Sequence, residues 1–255
     1  MLTRTHDITA LGTILGVWAH PDDEAYLSGG LMALARDAGS RVVCATATLG
    51  ERGLPDHLPP DHRTAELADS LHILGVDEHH WLGFRDGLCD RVPPAVAVDR
   101  ISALIDEIRP DTVVSFGPDG NTGHPDHRAV ARWTATAADR APGTRLLQAA
   151  VTPGWATRWR PVNDRYDVFL PGFPILHPPT SLAVHLTLDG EILSRKVRAL
   201  AAQATQTSTL IAELGPDYPF WVADEAFTEA QPTPAHPPCA HCWWNPTEAR
   251  WNCTP

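Results

Sequence analysis

The chain has 255 residues, of which 43 % are hydrophobic and 20 % are charged. This composition is typical of one large soluble domain and excludes a disordered or fibrous protein. The formal net charge of −11 excludes nucleic acid and anionic membrane surfaces as favoured partners, because both repel an acidic protein. No apolar run reaches the roughly 18 residues of a membrane span, and no small-residue cleavage site follows residues 8–19. We therefore expect a cytoplasmic protein.

The first 151 residues alternate apolar segments with amphipathic ones. Apolar, β-branched runs predict five strands, at residues 12–19, 41–49, 80–82, 112–116 and 144–151. Helical spacing of apolar residues predicts four helices, at residues 24–38, 63–74, 94–108 and 126–140. This alternation indicates an α/β fold with a Rossmann-like, doubly wound, mainly parallel sheet and helices on both faces. In such a sheet the first and fourth strands are neighbours, at the point where the winding reverses.

The second half of the chain is less regular. Residues 152–180, rich in Pro, Gly, Trp and Arg, predict a long ordered loop, followed by a strand at 183–188 and a helix at 190–210. Aromatic residues such as Trp155 in this loop are candidates for the wall of a sugar or aglycone pocket. The alternative is that they only pack the loop onto the domain. From residue 231 the composition changes to Pro, Cys, His and Trp, so we divide the chain into a domain, 1–230, and a tail, 231–255.

Two clusters of imidazoles and carboxylates follow the first and fourth predicted strands. They are His20-Pro-Asp-Asp-Glu24 and His124-Pro-Asp-His127. Ligands of doubly wound sheets bind beyond the carboxyl ends of the strands at the winding reversal, so the two clusters should converge there. A catalytic zinc site has three such ligands and one open position for water. The sequence therefore predicts a catalytic metal site, although either cluster alone would also serve as a helix N-cap.

Within each cluster, two residues of one type should divide the chemistry. Asp22 and Asp23 are adjacent and point in diverging directions, so one should bind the metal while the other takes a proton from the metal-activated water. Of His124 and His127, one should complete the metal shell and the other should stabilise negative charge on the substrate carbonyl. The residues alone leave both assignments open. Two histidines and one carboxylate also suit Fe²⁺.

These motifs resemble the PIG-L/LmbE-like de-N-acetylase family, with a resemblance that covers about residues 12–130. Supporting segments lie at residues 48–53, 63–66, 82–87 and 109–111. The resemblance implies that zinc is bound by His20, Asp23 and His127. It also implies that Asp22 is the general base and that His124 polarises the amide carbonyl or stabilises the oxyanion. Asp126 would then orient His124 and favour its protonated form.

Two further residues are candidates for substrate binding. The resemblance implies that Arg63 contacts the substrate, and the alternative is a surface ion pair with Glu66 on the same helix. Glu51 follows the second predicted strand at the crevice end and is a candidate for binding sugar hydroxyls, with a solvated loop carboxylate as the alternative. The family's lysine-containing helix is only partly present around Lys196, where the usual histidine is missing.

The tail contains a second set of metal-ligand types. Cys239 and Cys242 have a spacing that structural zinc sites use, and Cys253 is a further candidate ligand. A second well-spaced pair is missing from the sequence. The alternative is therefore a loosely ordered extension without a metal.

The resemblance implies a zinc-dependent hydrolase that removes the N-acetyl group from an N-acetylglucosamine-type amino sugar or its glycoconjugate. Alternatives are an amidase of a larger thiol-sugar conjugate and a non-catalytic sugar-binding protein of the same fold. Asp22 disfavours the binding protein, because a metal site alone does not need a residue in that position. The expected partner is a small amino-sugar substrate, and the sequence leaves a homo-oligomer open.

Overall fold

The computed structural model describes residues 5–230 and two short strands at residues 242–245 and 250–253. The main sheet contains β1 (Ile14–Trp18), β2 (Val42–Thr46), β3 (Glu78–Trp81), β4 (Thr112–Phe116), β5 (Arg145–Ala149), β6 (Val184–Thr187) and β7 (Asp224–Glu229). Their order is β3-β2-β1-β4-β5-β7-β6. Strands β1 to β5 are parallel, whereas β7 is antiparallel to both β5 and β6. The apolar strands β1, β2 and β4 are buried along their whole length, as interior parallel strands must be.

Helices cover both faces of this sheet. They are α1 (Asp23–Asp37), α2 (His62–Leu74), α3 (Pro94–Ile108), α4 (Pro125–Asp139), α5 (Pro153–Arg165), α6 (Gly190–Ala202), α7 (Ala204–Leu214) and α8 (Tyr218–Trp221). Right-handed crossovers place α1 and α2 on one face and α3 and α4 on the other. Helix α6 packs against α1 and α2, and α3 packs against α4. The predicted Rossmann-like, doubly wound fold is confirmed, and β1 and β4 are neighbours with Ile14 opposite Thr112.

The predicted loop at residues 152–180 is wrong in one respect, because it contains the helix α5. Thr152 caps this helix by accepting a hydrogen bond from the Trp155 N–H at 3.3 Å. Pro153 occupies the first turn, where its missing N–H has no intrahelical partner to lose. Pro161 lies inside the helix. Because prolines usually interrupt helices, the proline-rich composition predicted a loop, although Pro153 favours the start of this helix.

The single helix predicted for residues 190–210 is also wrong, because α6 and α7 are separated at Gln203. This residue leaves helical geometry, with φ −91° and ψ 50°. Its buried side chain donates hydrogen bonds to Glu24 Oε1 at 2.6 Å and to Ser70 Oγ at 3.1 Å. The break turns α7 back toward the carboxyl ends of the strands, where Gln206 and Leu210 line a cavity.

Lys196 and Glu225 form a fully buried ion pair between α6 and β7. The lysine Nζ lies 2.7 Å from Glu225 Oε1 and donates to the Tyr26 carbonyl oxygen at 2.8 Å. Glu225 also accepts hydrogen bonds from the Gly30 N–H at 2.7 Å and the Leu31 N–H at 2.8 Å. The pair therefore ties α6 and β7 to the middle of α1.

Replacing Lys196 by Met is expected to lower the free energy of unfolding by about 3–5 kcal/mol, because it leaves the Glu225 carboxylate buried without its cation. Denaturant unfolding measures this loss. The matched control is Arg198→Met on the same helix, where an exposed pair with Glu191 contributes little. Equal, small losses for both variants would contradict a stabilising role for the buried pair.

The end of the chain forms a small hairpin of β8 (Cys242–Asn245) and β9 (Arg250–Cys253), in which Cys242 lies opposite Cys253. Cys239 and the side chains of the hairpin lie outside the described residues, so the zinc site in the tail stays a prediction. The same holds for the domain division at residue 230. Among the described helices, none has the length and hydropathy required to cross a membrane.

Candidate active site

The two predicted clusters lie side by side at the carboxyl ends of β1 and β4. His20 and Asp22 follow β1, and α1 begins at Asp23. His124 directly precedes α4, whose first turn contains His127. Because β1 and β4 are adjacent, these two turns meet at the winding reversal of the sheet, where open α/β sheets bind their ligands.

Three side chains converge in this crevice. His20 Nδ1 lies 3.2 Å from His127 Nε2 and 3.6 Å from Asp23 Oδ2, and His127 Nε2 lies 3.3 Å from Asp23 Oδ1. The other ring nitrogen of His127 lies 3.0 Å from the Gly120 carbonyl oxygen, to which it donates as an N–H. That hydrogen bond fixes the tautomer and leaves the Nε2 lone pair directed at the other two side chains.

The donor set fits a divalent cation. Ligand atoms at about 2 Å from one tetrahedral zinc ion are about 3.3 Å apart, and His20 Nδ1 and His127 Nε2 are 3.2 Å apart. One Asp23 oxygen lies 3.6 Å from His20 Nδ1, and the other lies 3.3 Å from His127 Nε2. The ring nitrogens of His20, His124 and His127 also lie within 4.8 Å of one another. Two candidate ligand sets therefore share His20 and His127 and differ in whether Asp23 or His124 completes them. Another set lies on the other side of the His20 ring, with Asp86 and Asp126.

The remaining nitrogen of His20 faces two carboxylates. His20 Nε2 lies 3.2 Å from Asp86 Oδ1 and 3.3 Å from Asp126 Oδ2. Burial lowers the pKa of His20, but hydrogen bonds to Asp126 and Asp86 and the charge of Asp23 outweigh it and raise the pKa to about 10. Sequence reasoning gave Asp86 no role. The only signal was its position in the Leu82–Gly87 segment that carried part of the family resemblance.

Asp126 is placed differently from the expectation. Its carboxylate accepts hydrogen bonds from the Gly87 N–H at 2.7 Å and the Cys89 N–H at 3.0 Å, and these hold it against His20 rather than His124. Its contact with His124 is made by its backbone N–H, which donates to His124 Nδ1 at 3.2 Å. Burial and the charge of His20 lower the pKa of His124. Asp126 therefore contacts His124 through its backbone N–H, and the role of its carboxylate in orienting His124 and favouring the protonated form stays a prediction.

Asp22 faces the same crevice and is held by Arg63. Arg63 Nη2 donates to Asp22 Oδ2 at 3.2 Å and to the Pro21 carbonyl oxygen, and Nη1 donates to the Gly50 carbonyl oxygen at 2.9 Å. Asp22 has φ 109°, in a region that non-glycine residues occupy at a cost of about 1–3 kcal/mol, usually at functional sites. Burial raises the pKa of Asp22 to about 7, against the lowering effect of the Arg63 charge.

The alternative of an Arg63–Glu66 surface pair is not observed. Arg63 is only 4 % exposed, and its guanidinium faces Asp22. Glu66 instead accepts hydrogen bonds from the N–H and hydroxyl of Thr205, the first at 2.8 Å. Arg63 lines the cavity, as a substrate contact must.

Glu51 is not brought to the cavity wall. Its Oε1 accepts a hydrogen bond from the Asp86 N–H at 3.1 Å, which fixes the loop that carries Asp86. The neighbouring residues Arg52 and Gly53 line the cavity instead. Contact between Glu51 and sugar hydroxyls therefore requires a movement of this turn.

These groups lie at one side of a cavity of about 560 Å³. Its polar wall includes His20, Asp22, Arg63, Asp86, His124 and His127. An apolar wall completes it, with Trp155 from the predicted loop region. Phe169, from the same region, also lines the cavity. Trp159 is instead buried in the core, and Tyr166 hydrogen-bonds to Glu213 at 3.1 Å.

Comparison with known proteins agrees with this architecture. The PIG-L family model, described as GlcNAc-PI de-N-acetylase, matches residues 15–138. A 1D-myo-inositol 2-acetamido-2-deoxy-alpha-D-glucopyranoside deacetylase of Saccharomonospora viridis is 32 % identical over 241 residues, which cover 80 % of this chain and 87 % of the relative. A probable N-acetyl-alpha-D-glucosaminyl L-malate deacetylase 2 of Bacillus cereus is 34 % identical over 208 residues, covering 78 % and 86 % of the two chains.

The solved structure of N,N'-diacetylchitobiose deacetylase from Pyrococcus horikoshii shares the fold. Its TM-score is 0.61 at 19 % identity, with 91 % of this chain and 89 % of that chain covered. Together, the fold and these relatives define a hydrolytic N-deacetylase. The chain belongs to the PIG-L family of de-N-acetylases, which confirms the resemblance noted from the two metal motifs.

Proposed function

We propose that the protein hydrolyses the acetamide of an N-acetylglucosamine-type sugar within a small glycoconjugate and releases acetate and the free amine. The observation that supports it most directly is the meeting of His20, Asp23 and His127 beside Asp22 at one end of a substrate-sized cavity. The relatives support the sugar, since the S. viridis and B. cereus proteins are named as deacetylases of N-acetylated glucosaminyl conjugates.

The residues proposed to hold the cation are His20, Asp23 and His127. Zn²⁺ is the ion that the two imidazoles and one carboxylate favour, and Fe²⁺ is the alternative. Such an ion would polarise the acetamide carbonyl and lower the pKa of water toward about 7. Asp86 and Asp126 both face His20 Nε2, so they orient this imidazole toward the ion and increase its basicity.

Asp22 is proposed as the general base and then the general acid. Its raised pKa of about 7 suits both proton uptake and proton release near neutrality. It takes a proton as the water oxygen bonds to the acetyl carbon, and it returns that proton to the nitrogen as the C–N bond breaks. Arg63 keeps the carboxylate aimed into the crevice. His124, on the other side of the crevice, is placed to stabilise negative charge on the carbonyl oxygen.

The experiment that tests the function is a panel of N-acetylglucosaminyl compounds, incubated with the metal-loaded protein and assayed for both acetate and free amine. We expect equimolar acetate and amine from at least one N-acetylglucosaminide. Release of a larger acid from a thiol-sugar conjugate, without acetate, would replace the deacetylase by a conjugate amidase. Bound metal and bound sugar without turnover of any compound would favour the non-catalytic sugar-binding protein.

A further inference from the structure

The cavity has an apolar wall that the deacetylation chemistry does not use. It is built from partly buried or buried side chains of α1, α5, α7, α8 and the segment after α5. We call the following six residues the apolar wall: Tyr26, Leu27, Trp155, Phe169, Leu210 and Trp221. Four of them are aromatic, which is more carbon surface than a bound acetyl group can cover.

The aromatic rings of the apolar wall form one continuous surface. The ring centroid of Trp221 lies 5.8 Å from that of Tyr26 and 6.3 Å from that of Trp155. Phe169 extends the row, with its centroid 6.3 Å from that of Trp155. Contiguous rings of this kind bury a large area of a ligand rather than a single group.

The polar atoms of these rings are already hydrogen-bonded within the protein. Trp155 Nε1 donates to the Trp221 carbonyl oxygen at 3.1 Å, and Trp221 Nε1 donates to Asn163 Oδ1 at 3.1 Å. The Tyr26 hydroxyl lies 3.4 Å from the Tyr218 hydroxyl. The rings therefore present carbon to the cavity, and a polar substituent placed against them would lose water without gaining a partner.

The polar side chains that strands β6 and β7 contribute to the cavity are also paired. His185 Nε2 lies 3.7 Å from Asp224 Oδ1, which in turn accepts a hydrogen bond from the Thr187 hydroxyl at 2.8 Å. The other polar residues that line the cavity are those of the candidate metal centre and a few more, among them Arg52, Asn121 and Gln206. The Gln206 amide already donates to the Gly53 carbonyl oxygen at 3.0 Å. A ligand that fills the cavity therefore needs a polar end for the metal centre and an apolar end for the wall.

We propose that the apolar wall binds an apolar aglycone, an alkyl or aryl group carried by the N-acetylated sugar. This inference rests on the proposed deacetylase function and narrows its substrate class. The sugar acetamide lies at the candidate metal centre while the aglycone covers the rings of Trp155 and Trp221. Binding energy from the aglycone then selects alkyl and aryl glycosides over glycosides of polar alcohols.

The test is a homologous series of alkyl N-acetylglucosaminides, from methyl to octyl and in both anomers, kept below their critical micelle concentrations. The acetate assay gives kcat/KM for each compound. We expect kcat/KM to rise by about two- to fourfold per added methylene, until the alkyl chain covers the wall, because each buried methylene contributes a fixed transfer free energy. Most of the gain should appear as a lower KM.

Two variants connect this gain to the wall. Leu210→Asn places a polar amide in the wall and should flatten the dependence on chain length. Its matched control is Ile211→Asn, since Ile211 is the next residue of α7, is similarly buried and does not line the cavity. Ile211→Asn should keep the dependence of the unchanged protein. A second pair is Phe169→Ser and Leu170→Ser. Phe169→Ser should flatten the dependence of kcat/KM on chain length, and Leu170→Ser should not.

The outcomes separate this inference from the function on which it rests. If the methyl glycoside is deacetylated but kcat/KM stays level or falls with chain length, the aglycone proposal is overturned and the deacetylase stands. If, in a parallel series of N-acylglucosaminides assayed for free amine, the rate rises with the length of the N-acyl group instead, the wall holds the acyl chain and the proposal is also overturned. Acetate release from none of the compounds would overturn the deacetylase function itself. If a wall variant and its control flatten the dependence of kcat/KM on chain length equally, the effect comes from altered folding. That outcome would contradict the proposal.

Discussion

Replacement of Asp22 by Asn is expected to lower kcat by about 10²- to 10⁴-fold, the range that a positioned general base contributes. Asn keeps the size and the hydrogen-bonding atoms of the side chain, but it cannot take a proton from water or return one to the leaving amine. The proposed ligands His20, Asp23 and His127 are unchanged, so the bound metal should stay near the level of the unchanged protein. Steady-state kinetics on an N-acetylglucosaminide and elemental analysis of the dialysed protein measure the two effects.

The contrast between turnover and metal content is what makes this variant informative. A ligand would lose metal and activity together, whereas a base loses activity alone. The control is Asp99→Asn. Asp99 lies on α3 and forms an exposed ion pair with Arg140, so this variant should change neither kcat nor the metal content. Undiminished turnover by Asp22→Asn would exclude Asp22 as the base, and loss of metal would move it into the coordination shell.

Much of the fold was predictable because local patterns agree with the final architecture. Strands β1, β2 and β4 are apolar on both faces, as strands covered by helices must be. The helix α3 has the predicted bounds, since Pro94 starts it and Pro110 follows it. Once β1 and β4 were recognised as neighbours, the meeting of His20 and His127 followed from topology alone.

Two features that were not predicted, strand β7 and the break between α6 and α7, depend on distant partners. Strand β7 contains Glu225, and a buried carboxylate is compatible with a strand only because Lys196 neutralises it from another helix. The break between α6 and α7 depends on Gln203 reaching Glu24, 179 positions away in the chain. Local helix propensity contains no information about such a contact, so the sequence predicts one continuous helix at residues 190–210.

The candidate site also combines features that the sequence predicts with features that it does not. The residue types and their strand-end positions indicate a metal centre, because the two clusters bring three histidines and three aspartates to one crevice. The contacts of individual carboxylates do not follow from spacing. The Asp126 carboxylate accepts hydrogen bonds from the N–H groups of Gly87 and Cys89, and Asp86, which contacts His20, belongs to the same loop. The path of this loop after β3 decides both contacts, and hydrogen bonds to residues distant in the sequence hold it, such as that from the Asp86 N–H to Glu51 Oε1.

His127→Gln is expected to weaken metal binding by about 100-fold or more and to abolish turnover in dialysed protein. The loss of one ligand exceeds the 10- to 100-fold that follows from loss of a residue that only orients a ligand. Gln is chosen because His127 is buried against Phe116, with ring centroids 4.3 Å apart, and a smaller residue would leave a cavity. Titration with Zn²⁺ against a competing chelator measures the affinity. The exposed His72 on α2 provides the control, His72→Gln, which should bind metal normally.

His124→Gln decides between the two ligand sets that share His20 and His127. If Asp23 is the third ligand, His124→Gln should keep the metal and lose turnover, because His124 then acts only on the carbonyl oxygen. If His124 is the third ligand, its replacement should lower metal affinity as much as that of His127. Retention of stoichiometric, tightly bound metal by His127→Gln would contradict both sets. The short distances between His20, Asp23 and His127 would then reflect an ion-paired and hydrogen-bonded cluster without a metal, and the hydrolytic chemistry would need another centre.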